Sequence, residues 1–216
     1  MQSSSKNNTA LIIIVISSVL IAGLIVLIFR NSTPSQPTVL TANSADSTND
    51  HHPKTSADTS QFSSLLGKPT PDFSFADLNG NTYTPASLKG KNVILFFNEG
   101  LMCYPACWNQ ISSFPKDNRF KEAGAEVISI VVDAPKDWES AVKKMPDLAA
   151  ATVVFDSGKT ASSAFGVLSL DSSMHKGAFP GHTYIIIDKA GVIRFALDDP
   201  NMAVNNDRLM EEIKKL

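Results

Sequence analysis

The chain has 216 residues, of which 43% are hydrophobic and 19% are charged, so it contains enough apolar material for one ordinary domain. Its 19 Lys and Arg residues nearly balance its 21 Asp and Glu residues, which leaves a formal net charge of -2. Because no basic stripe is present, the chain lacks the electrostatic footprint of a nucleic-acid-binding protein.

The N-terminal part of the chain contains an uncharged apolar run from Ala10 to Phe29. After a short tail at 1–9, this run is long enough as a helix to cross a bilayer core of about 30 Å, so we predict a transmembrane anchor at 10–29. A buried soluble helix and a cleaved signal peptide are the alternatives. A signal peptide usually has a shorter apolar region and a cleavage site close behind it. Here the first small-x-small pattern comes only around Thr41 to Ala45.

The charges beside the predicted anchor indicate its orientation. Lys6 and the amino terminus lie on one side, and only Arg30 lies close on the other. This distribution favours a cytoplasmic N-terminus. We therefore expect a single-pass protein of the cell membrane whose domain is extracytoplasmic, where disulfides form and persist.

The segment at 30–60 is rich in Ser, Thr, Asn and Pro and has no aromatic residue before the domain. Such a composition cannot bury enough apolar surface to offset chain entropy, so we predict a disordered linker. His51 and His52 lie within it and are given no role. The domain is predicted at 61–216.

In that domain, short apolar runs alternate with amphipathic stretches, which is typical of an α/β domain. Helices are predicted at Trp138 to Met145, with Asp137 as N-cap, at Thr160 to Phe165, and at the C-terminus, where Leu209, Ile213 and Leu216 would line one face. The predicted strands are Val93 to Phe97, Val127 to Val132, Thr152 to Phe155, Tyr184 to Ile187 and Val192 to Ala196.

Two cysteines occur in the chain, Cys103 and Cys107, directly after the first strongly apolar strand. Pro105 between them suits the first turn of a helix, which places Cys107 inside that turn and Cys103 just outside it. The positive end of a helix dipole stabilises a thiolate and lowers a thiol pKa. Residues four apart in a regular helix are too distant for a disulfide, so Cys103 must leave helical geometry to pair. Ordinary buried thiols and an inert structural disulfide are the alternatives.

Several short motifs follow one another along the domain, at Gly67 to Phe73, Asp77 to Gly80, Leu88 to Lys91, Asp156, Phe165 to Val167 and Thr183 to Gly191. In this order they resemble the redoxin branch of the thioredoxin superfamily. That branch contains the alkyl hydroperoxide reductase/thiol-specific antioxidant (peroxiredoxin-like) proteins and the membrane-tethered TlpA/ResA-type thiol oxidoreductases. The resemblance implies a thioredoxin-like fold, a central mixed β-sheet flanked by helices. It also implies a cofactor-free oxidoreductase whose partners are protein thiols and disulfides or small peroxides.

The cysteine loop departs from the family pattern. The spacing is CxxxC instead of CxxC, and the Thr or Ser that peroxiredoxins have three residues before the attacking Cys is replaced by Tyr104 or Gly100. Pro180, Gly181 and His182 occupy the place of the family's active-site Arg. Thiol–disulfide exchange is therefore the first expectation, peroxide reduction is the second, and which sulfur attacks stays open.

Four further residues are candidates beside the cysteines. His182 takes the position of the thioredoxin cis-proline, where its imidazole would act as acid or base or stabilise a thiolate. Glu99 would relay a proton. Tyr104 and Trp108 would offer a stacking surface for a substrate peptide. The alternatives are a partly exposed His182 that caps a strand, a solvated Glu99 and simple packing of the two aromatic rings. His175 is expected to have no role.

Two cysteines and a distant His are also similar to the Sco-type copper chaperones, which share this fold. Soft thiolates with an imidazole suit copper. Under this alternative Cys103, Cys107 and His182 would bind the metal. Under the oxidoreductase reading no metal is expected.

Overall fold

The computed structural model describes residues 59–216. The predicted tail at 1–9, the anchor at 10–29 and all but the end of the linker at 30–60 lie outside that range and stay predictions. None of the helices in 59–216 has the length and apolar character needed to cross a membrane.

The centre of the domain is a five-stranded mixed sheet. The strands of the structure are β1 (Phe75–Ala76), β2 (Thr82–Tyr83), β3 (Asn92–Phe97), β4 (Ala125–Val131), β5 (Val153–Phe155), β6 (Thr183–Ile187) and β7 (Ile193–Asp198). The order in the large sheet is β5-β4-β3-β6-β7, and β1 and β2 form a separate antiparallel pair. β4 is parallel to β3 and β5, whereas β6 is antiparallel to β3 and β7. The predicted thioredoxin-like class is confirmed.

All five predicted strands are present, with ends shifted by one or two residues. Every residue of β3 and β6 is buried, which is why both read as continuous apolar runs. In β3, Val93, Leu95 and Phe97 face one core cluster, whereas Ile94 and Phe96 face the other. Both cysteines belong to the second cluster, so the candidate site lies on the Ile94 and Phe96 face of the sheet.

Helices flank the sheet and join its strands. They are α1 (Ser60–Ser63), α2 (Pro85–Leu88), α3 (Ala106–Ser113), α4 (Asn118–Glu122), α5 (Pro135–Lys144), α6 (Thr160–Ala164) and α7 (Asn206–Ile213), with 3₁₀ turns at Gly100–Met102 and Pro146–Ala150. Leu209 and Ile213 of α7 are buried in the cluster that contains the cysteines. α7 therefore packs in the same core cluster as the cysteines.

Two details of the helix predictions are wrong. The N-cap of α5 is Ala134 instead of Asp137, because Pro135 opens the helix and proline suits a first turn. Asp137 lies inside that turn, where its carboxylate complements the helix dipole. Leu216 lies beyond the end of α7 and is 45% exposed, so it does not line the buried face.

Candidate active site

Cys103 and Cys107 form a disulfide at the junction between β3 and α3, with 5.3 Å between their Cα atoms. Cys103 ends the 3₁₀ turn and has non-helical dihedrals, whereas Cys107 is the second residue of α3. The prediction that Cys103 must leave helical geometry is confirmed. Pro105 is the N-cap instead of the first helical residue.

Asn98 joins the loop that carries Cys103 to strands β3 and β4 by hydrogen bonds. The Asn98 amide donates to the carbonyls of Phe96 and Ile130 at 3.2 and 3.3 Å, and its oxygen accepts the Gly100 N–H at 2.9 Å. Gly100 has φ +59°, and a Cβ there would overlap the Asp133 carboxylate. The turn therefore requires glycine at this position.

Asp133 fixes the same turn from β4's side of the sheet. Its Oδ2 accepts the Leu101 N–H at 3.1 Å, and burial raises the pKa of the Asp133 carboxyl. The Trp108 indole N–H donates to the Gly100 carbonyl at 3.0 Å. The cysteine loop is thus tied both to the sheet and to the helix that follows it.

The Cys103 sulfur has a backbone donor and a thioether beside it. The Cys107 N–H, at the start of α3, donates to Cys103 Sγ at 3.3 Å. Met202 Sδ lies 4.0 Å from the same sulfur. Neighbouring Met102 and Tyr104 are exposed at 54% and 70%. This side of the disulfide borders an exposed apolar rim.

The Cys107 sulfur faces His182. The distance between Cys107 Sγ and His182 Nδ1 is 3.5 Å, and both residues are fully buried. Burial lowers the pKa of His182 to about 4, so the imidazole beside the disulfide is neutral at pH 7. The interpretation of His182 as a partly exposed strand cap is therefore wrong, and the predicted approach of His182 to the cysteines is confirmed.

Glu99 forms its hydrogen bonds with the loop at residues 173–175. Its side chain is fully buried, so the solvated interpretation is wrong. Oε1 accepts from the Ser173 hydroxyl and from the N–H groups of Met174 and His175 at 2.7 to 3.1 Å, and Oε2 lies 3.2 Å from His175 Nδ1. These bonds tie the 173–175 loop to the turn before Cys103. His175, expected to have no role, is part of that anchor.

The two candidate stacking residues differ in exposure. The Tyr104 ring is the more exposed and meets the Trp108 ring edge-on at 5.2 Å. Trp108 is half-buried and lies 6.3 Å from the Trp138 ring of α5. Trp108 thus packs α3 onto its neighbour, while Tyr104 is 70% exposed.

The structure also brings the three candidate copper ligands together. The Sγ atoms of Cys103 and Cys107 and a ring nitrogen of His182 lie within 4.8 Å of one another. In the oxidised state described here the sulfurs are bonded to each other, and metal binding requires thiolates. A metal would therefore compete with the disulfide for these atoms.

Sequence reasoning missed the residues that surround His182. Its Nε2 lies 2.7 Å from the Tyr184 hydroxyl and 3.1 Å from the Ala203 carbonyl. Tyr184 in turn donates to Gln110 Oε1 at 2.8 Å. Two signals were available, because Tyr184 follows His182 at the strand period of two and Gln110 follows Cys107 at the helical spacing of three. The carbonyl of Ala203 and the thioether of Met202 gave none.

Three arginines belong to the described range, and all of them are engaged away from the cysteines. Arg119 pairs with Asp117 and Asp207, and Arg194 pairs with Asp188. The Arg208 guanidinium lies over the Phe195 ring. Among residues 59–216, His182 is thus the ionisable side chain in contact with a cysteine sulfur.

Comparison with known proteins places this arrangement in context. The family model described as AhpC/TSA family matches residues 66–196. The chloroplastic peroxiredoxin Q of Populus jackii is 31% identical over 136 residues, which cover 59% of this chain and 57% of that protein. The protein of the same name from Triticum aestivum is 31% identical, with coverage of 60% and 57%. The matched region thus spans less than two thirds of these relatives.

Solved structures confirm the fold. Enterococcus faecalis AhpC superposes with a TM-score of 0.60 at 16% identity, covering 70% of this chain and 91% of that one. The mitochondrial 2-Cys peroxiredoxin of Plasmodium falciparum gives 0.59 at 23% identity, with coverage of 70% and 93%. Peroxidoxin BcpB of Mycobacterium tuberculosis gives 0.58 at 20% identity, with coverage of 70% and 97%.

Proposed function

Because this chain belongs to the AhpC/TSA family, we propose that it is a thiol-dependent oxidoreductase that reduces peroxides by cycling Cys103 and Cys107 between dithiol and disulfide. The observation that carries the proposal is the disulfide between these cysteines at the start of α3. A bridge that closes so short a loop contributes little to stability. A redox role explains the pair better than a structural one.

The chemistry requires no cofactor. One thiolate attacks the peroxide O–O bond, and with one proton taken up this gives a sulfenic acid and an alcohol or water. The second thiol condenses with the sulfenic acid, which forms the disulfide and releases a second water. Two external thiols then restore the dithiol and leave as a disulfide.

The candidate residues receive roles in this cycle. We assign His182 the proton transfers at Cys107, on the strength of the 3.5 Å contact. Tyr104 is assigned to contact with the reductant because its ring is exposed beside Cys103. Trp108 supports that ring. Glu99 is assigned to holding the loop instead of to the proton relay predicted from sequence, because its hydrogen bonds go to residues 173–175.

The reducing partner is proposed to be a protein or small dithiol, with thiol–disulfide exchange of the TlpA/ResA type as the return half of the cycle. The proposed place is the extracytoplasmic face of the cell membrane, with residues 10–29 as anchor. Fractionation of cells that express the full chain tests the anchor. A mature soluble protein that starts beyond Arg30 would contradict it.

The activity is tested by turnover. The reduced full-length chain is mixed with hydrogen peroxide and excess dithiothreitol, and peroxide consumption is followed. We expect consumption that saturates with peroxide and disappears when both cysteines are replaced by serine, because excess dithiothreitol can reduce a sulfenic acid in a chain that keeps one cysteine. Consumption that the double variant retains would contradict the proposal.

A copper site is the second candidate, favoured by the 4.8 Å cluster of ligand atoms. Competition for Cu(I) by the reduced chain distinguishes the two. Tight binding that falls in His182→Ala, together with an inert peroxide reaction, would replace the peroxidase proposal by a metallochaperone.

A further inference from the structure

A row of buried polar side chains extends from the Cys107 sulfur through His182 and Tyr184 to Gln110. His182, Tyr184 and Gln110 are each fully buried. Buried polar atoms are nearly always hydrogen-bonded, so the donors and acceptors along this row must alternate. That requirement fixes where the protons are.

The orientation of the Gln110 amide is the first step. The backbone N–H of Asn205 lies 2.7 Å from Gln110 Oε1, and a backbone N–H can only donate. This atom must therefore be the oxygen. The opposite end of the amide donates to Asn206 Oδ1 at 2.9 Å and to Ser113 Oγ at 3.1 Å.

The orientation of Gln110 determines what the Tyr184 hydroxyl does. Its single hydrogen has two acceptors within reach, Gln110 Oε1 at 2.8 Å and the Ala203 carbonyl at 3.4 Å, and the shorter contact takes it. Towards His182, the hydroxyl oxygen is then left to accept, across 2.7 Å, from Nε2. The carbonyl of Ala203, 3.1 Å from the same nitrogen, can only accept as well. Both neighbours therefore require a hydrogen on Nε2.

A neutral imidazole with its hydrogen on Nε2 has a lone pair on Nδ1, the atom that faces Cys107 Sγ. We propose that Tyr184 and Gln110 are positioning residues that hold His182 in the Nε2–H tautomer, so that Nδ1 takes the Cys107 proton. This inference rests on the proposed function, in which a cysteine thiolate is the reacting species. The proton leaves Sγ for Nδ1, the Nε2 hydrogen stays, and a thiolate beside an imidazolium results without another reactant.

The surroundings of the imidazole act on its charge in two directions. Burial opposes the protonated form, whereas the Ala203 carbonyl and the charges of Asp199 and Asp198 favour it. Phe96 packs edge-on against the imidazole with ring centroids 4.7 Å apart. Cys103 lacks this support, because its sulfur receives the Cys107 N–H instead. We call His182 together with Tyr184 and Gln110 the His182 relay, and its effect is expected at Cys107 alone.

The direct test is the tautomer of His182 in the reduced full-length chain, read from the nitrogen chemical shifts and long-range couplings of ¹⁵N-labelled histidine. His182→Gln identifies the signal among the four histidines. We expect the Nε2–H form near neutral pH, or an imidazolium with both nitrogens protonated. A hydrogen on Nδ1 alone, or the mixture of free histidine, would overturn the proposal. The tautomer itself is measured in the wild-type chain, and His182→Gln serves only to assign the signal.

The second arm measures Cys107 in the Cys103→Ser background, as the rate of iodoacetamide labelling at pH 7. Tyr184→Phe removes one hydrogen bond to Nε2 and leaves the Ala203 carbonyl, so we expect labelling about 3- to 10-fold slower. The same change in the Cys107→Ser background should leave Cys103 labelling unchanged. Tyr83→Phe is the matched control, since Tyr83 donates to Asp77 at 3.3 Å in a separate part of the sequence. Equal slowing of both cysteines, or slowing of neither, would overturn the relay.

The two proposals fail differently. If the tautomer and the Cys107 labelling follow these expectations but peroxide is not consumed, the relay stands and the peroxidase function fails. If peroxide is consumed while His182 carries its hydrogen on Nδ1 alone, the function stands and the relay fails.

Discussion

The two sulfurs of the disulfide lie in unlike surroundings, although they are bonded to each other. Cys107 faces a buried imidazole that is itself held by hydrogen bonds. Cys103 faces a helix N–H and the Met202 thioether, with exposed Met102 and Tyr104 beside it. Cys107 thus borders a buried network of hydrogen bonds, whereas Cys103 borders thioether and aromatic side chains, two of which are exposed.

This difference indicates a division of labour. A buried base accepts a proton, so the Cys107 side is suited to forming a thiolate. Exposed aromatic and Met side chains are typical of surfaces that meet a partner. We therefore expect an incoming thiol to approach the Cys103 side while Cys107 leaves towards His182.

The largest effect is expected when either sulfur is removed. Cys103→Ser and Cys107→Ser should each reduce peroxide turnover with a protein dithiol as reductant at least about 1,000-fold, because the nucleophile or its resolving partner is lost. Turnover assays on the full-length chain measure this, with circular dichroism to verify folding. A folded variant that keeps more than a tenth of the activity would contradict the claim that turnover requires both cysteines.

The next effect concerns stability and pH on the Cys107 side. The pKa of His182 is about 4 in the folded oxidised chain, against 6.5 unfolded. As the pH falls below 6.5, the imidazole of His182 becomes protonated in the unfolded state but stays neutral in the folded state until about pH 4. The free energy of unfolding therefore decreases between pH 6.5 and pH 4. The expected loss is about 3 kcal/mol.

Urea unfolding of the oxidised chain at pH 7 and pH 4.5 measures that loss. His182→Gln should show a smaller decrease than the wild-type chain, because glutamine does not titrate. Equal pH dependence in His182→Gln and the wild-type chain would contradict a neutral buried His182.

A smaller effect is expected on reactivity when His182 is replaced. His182→Ala should slow the reaction of the reduced chain with peroxide about 100-fold, the lower end of the range for loss of a general base. Stopped-flow single-turnover kinetics measure the rate. His175→Ala, which changes the loop anchor at Glu99, should stay within about 3-fold of the wild type because that anchor does not touch the sulfurs. If the two variants slow the reaction equally, His182 has only a structural role.

The smallest effect is expected on the Cys103 side. Tyr104→Ala removes an exposed ring, so reduction of the disulfide by a protein dithiol such as thioredoxin should slow about 2- to 10-fold, the range for one aromatic contact. Reduction by dithiothreitol should not change, since a small thiol needs no docking surface. Leu78→Ala, another exposed apolar residue at 41% exposure, is the control. A Tyr104→Ala effect that is equal for both reductants would contradict a role in docking.

The sequence predicted the elements that depend on local patterns. β3 is encoded by a continuous apolar run, and Pro105 between the cysteines indicated the start of α3 nearby. The approach of His182 to the cysteines followed from the family resemblance. Glu99 was misread because its partners lie at 173–175, more than 70 residues away. Gln110 follows Cys107 at helical spacing, but its bond to Tyr184 depends on the packing of α3 against β6. The place of Met202 beside Cys103 depends on the packing of the 199–205 loop and had no sequence signal.

The central claim, a redox-active cysteine pair made reactive by the fold, is tested most directly in a single turnover. The reduced full-length chain is mixed with equimolar hydrogen peroxide, both folded and unfolded in urea, and the products are mapped by mass spectrometry. We expect one Cys103–Cys107 disulfide per peroxide, formed at least about 100-fold faster in the folded chain, because only the fold supplies the helix N–H and His182. Equal rates in the folded and unfolded chains would contradict the account.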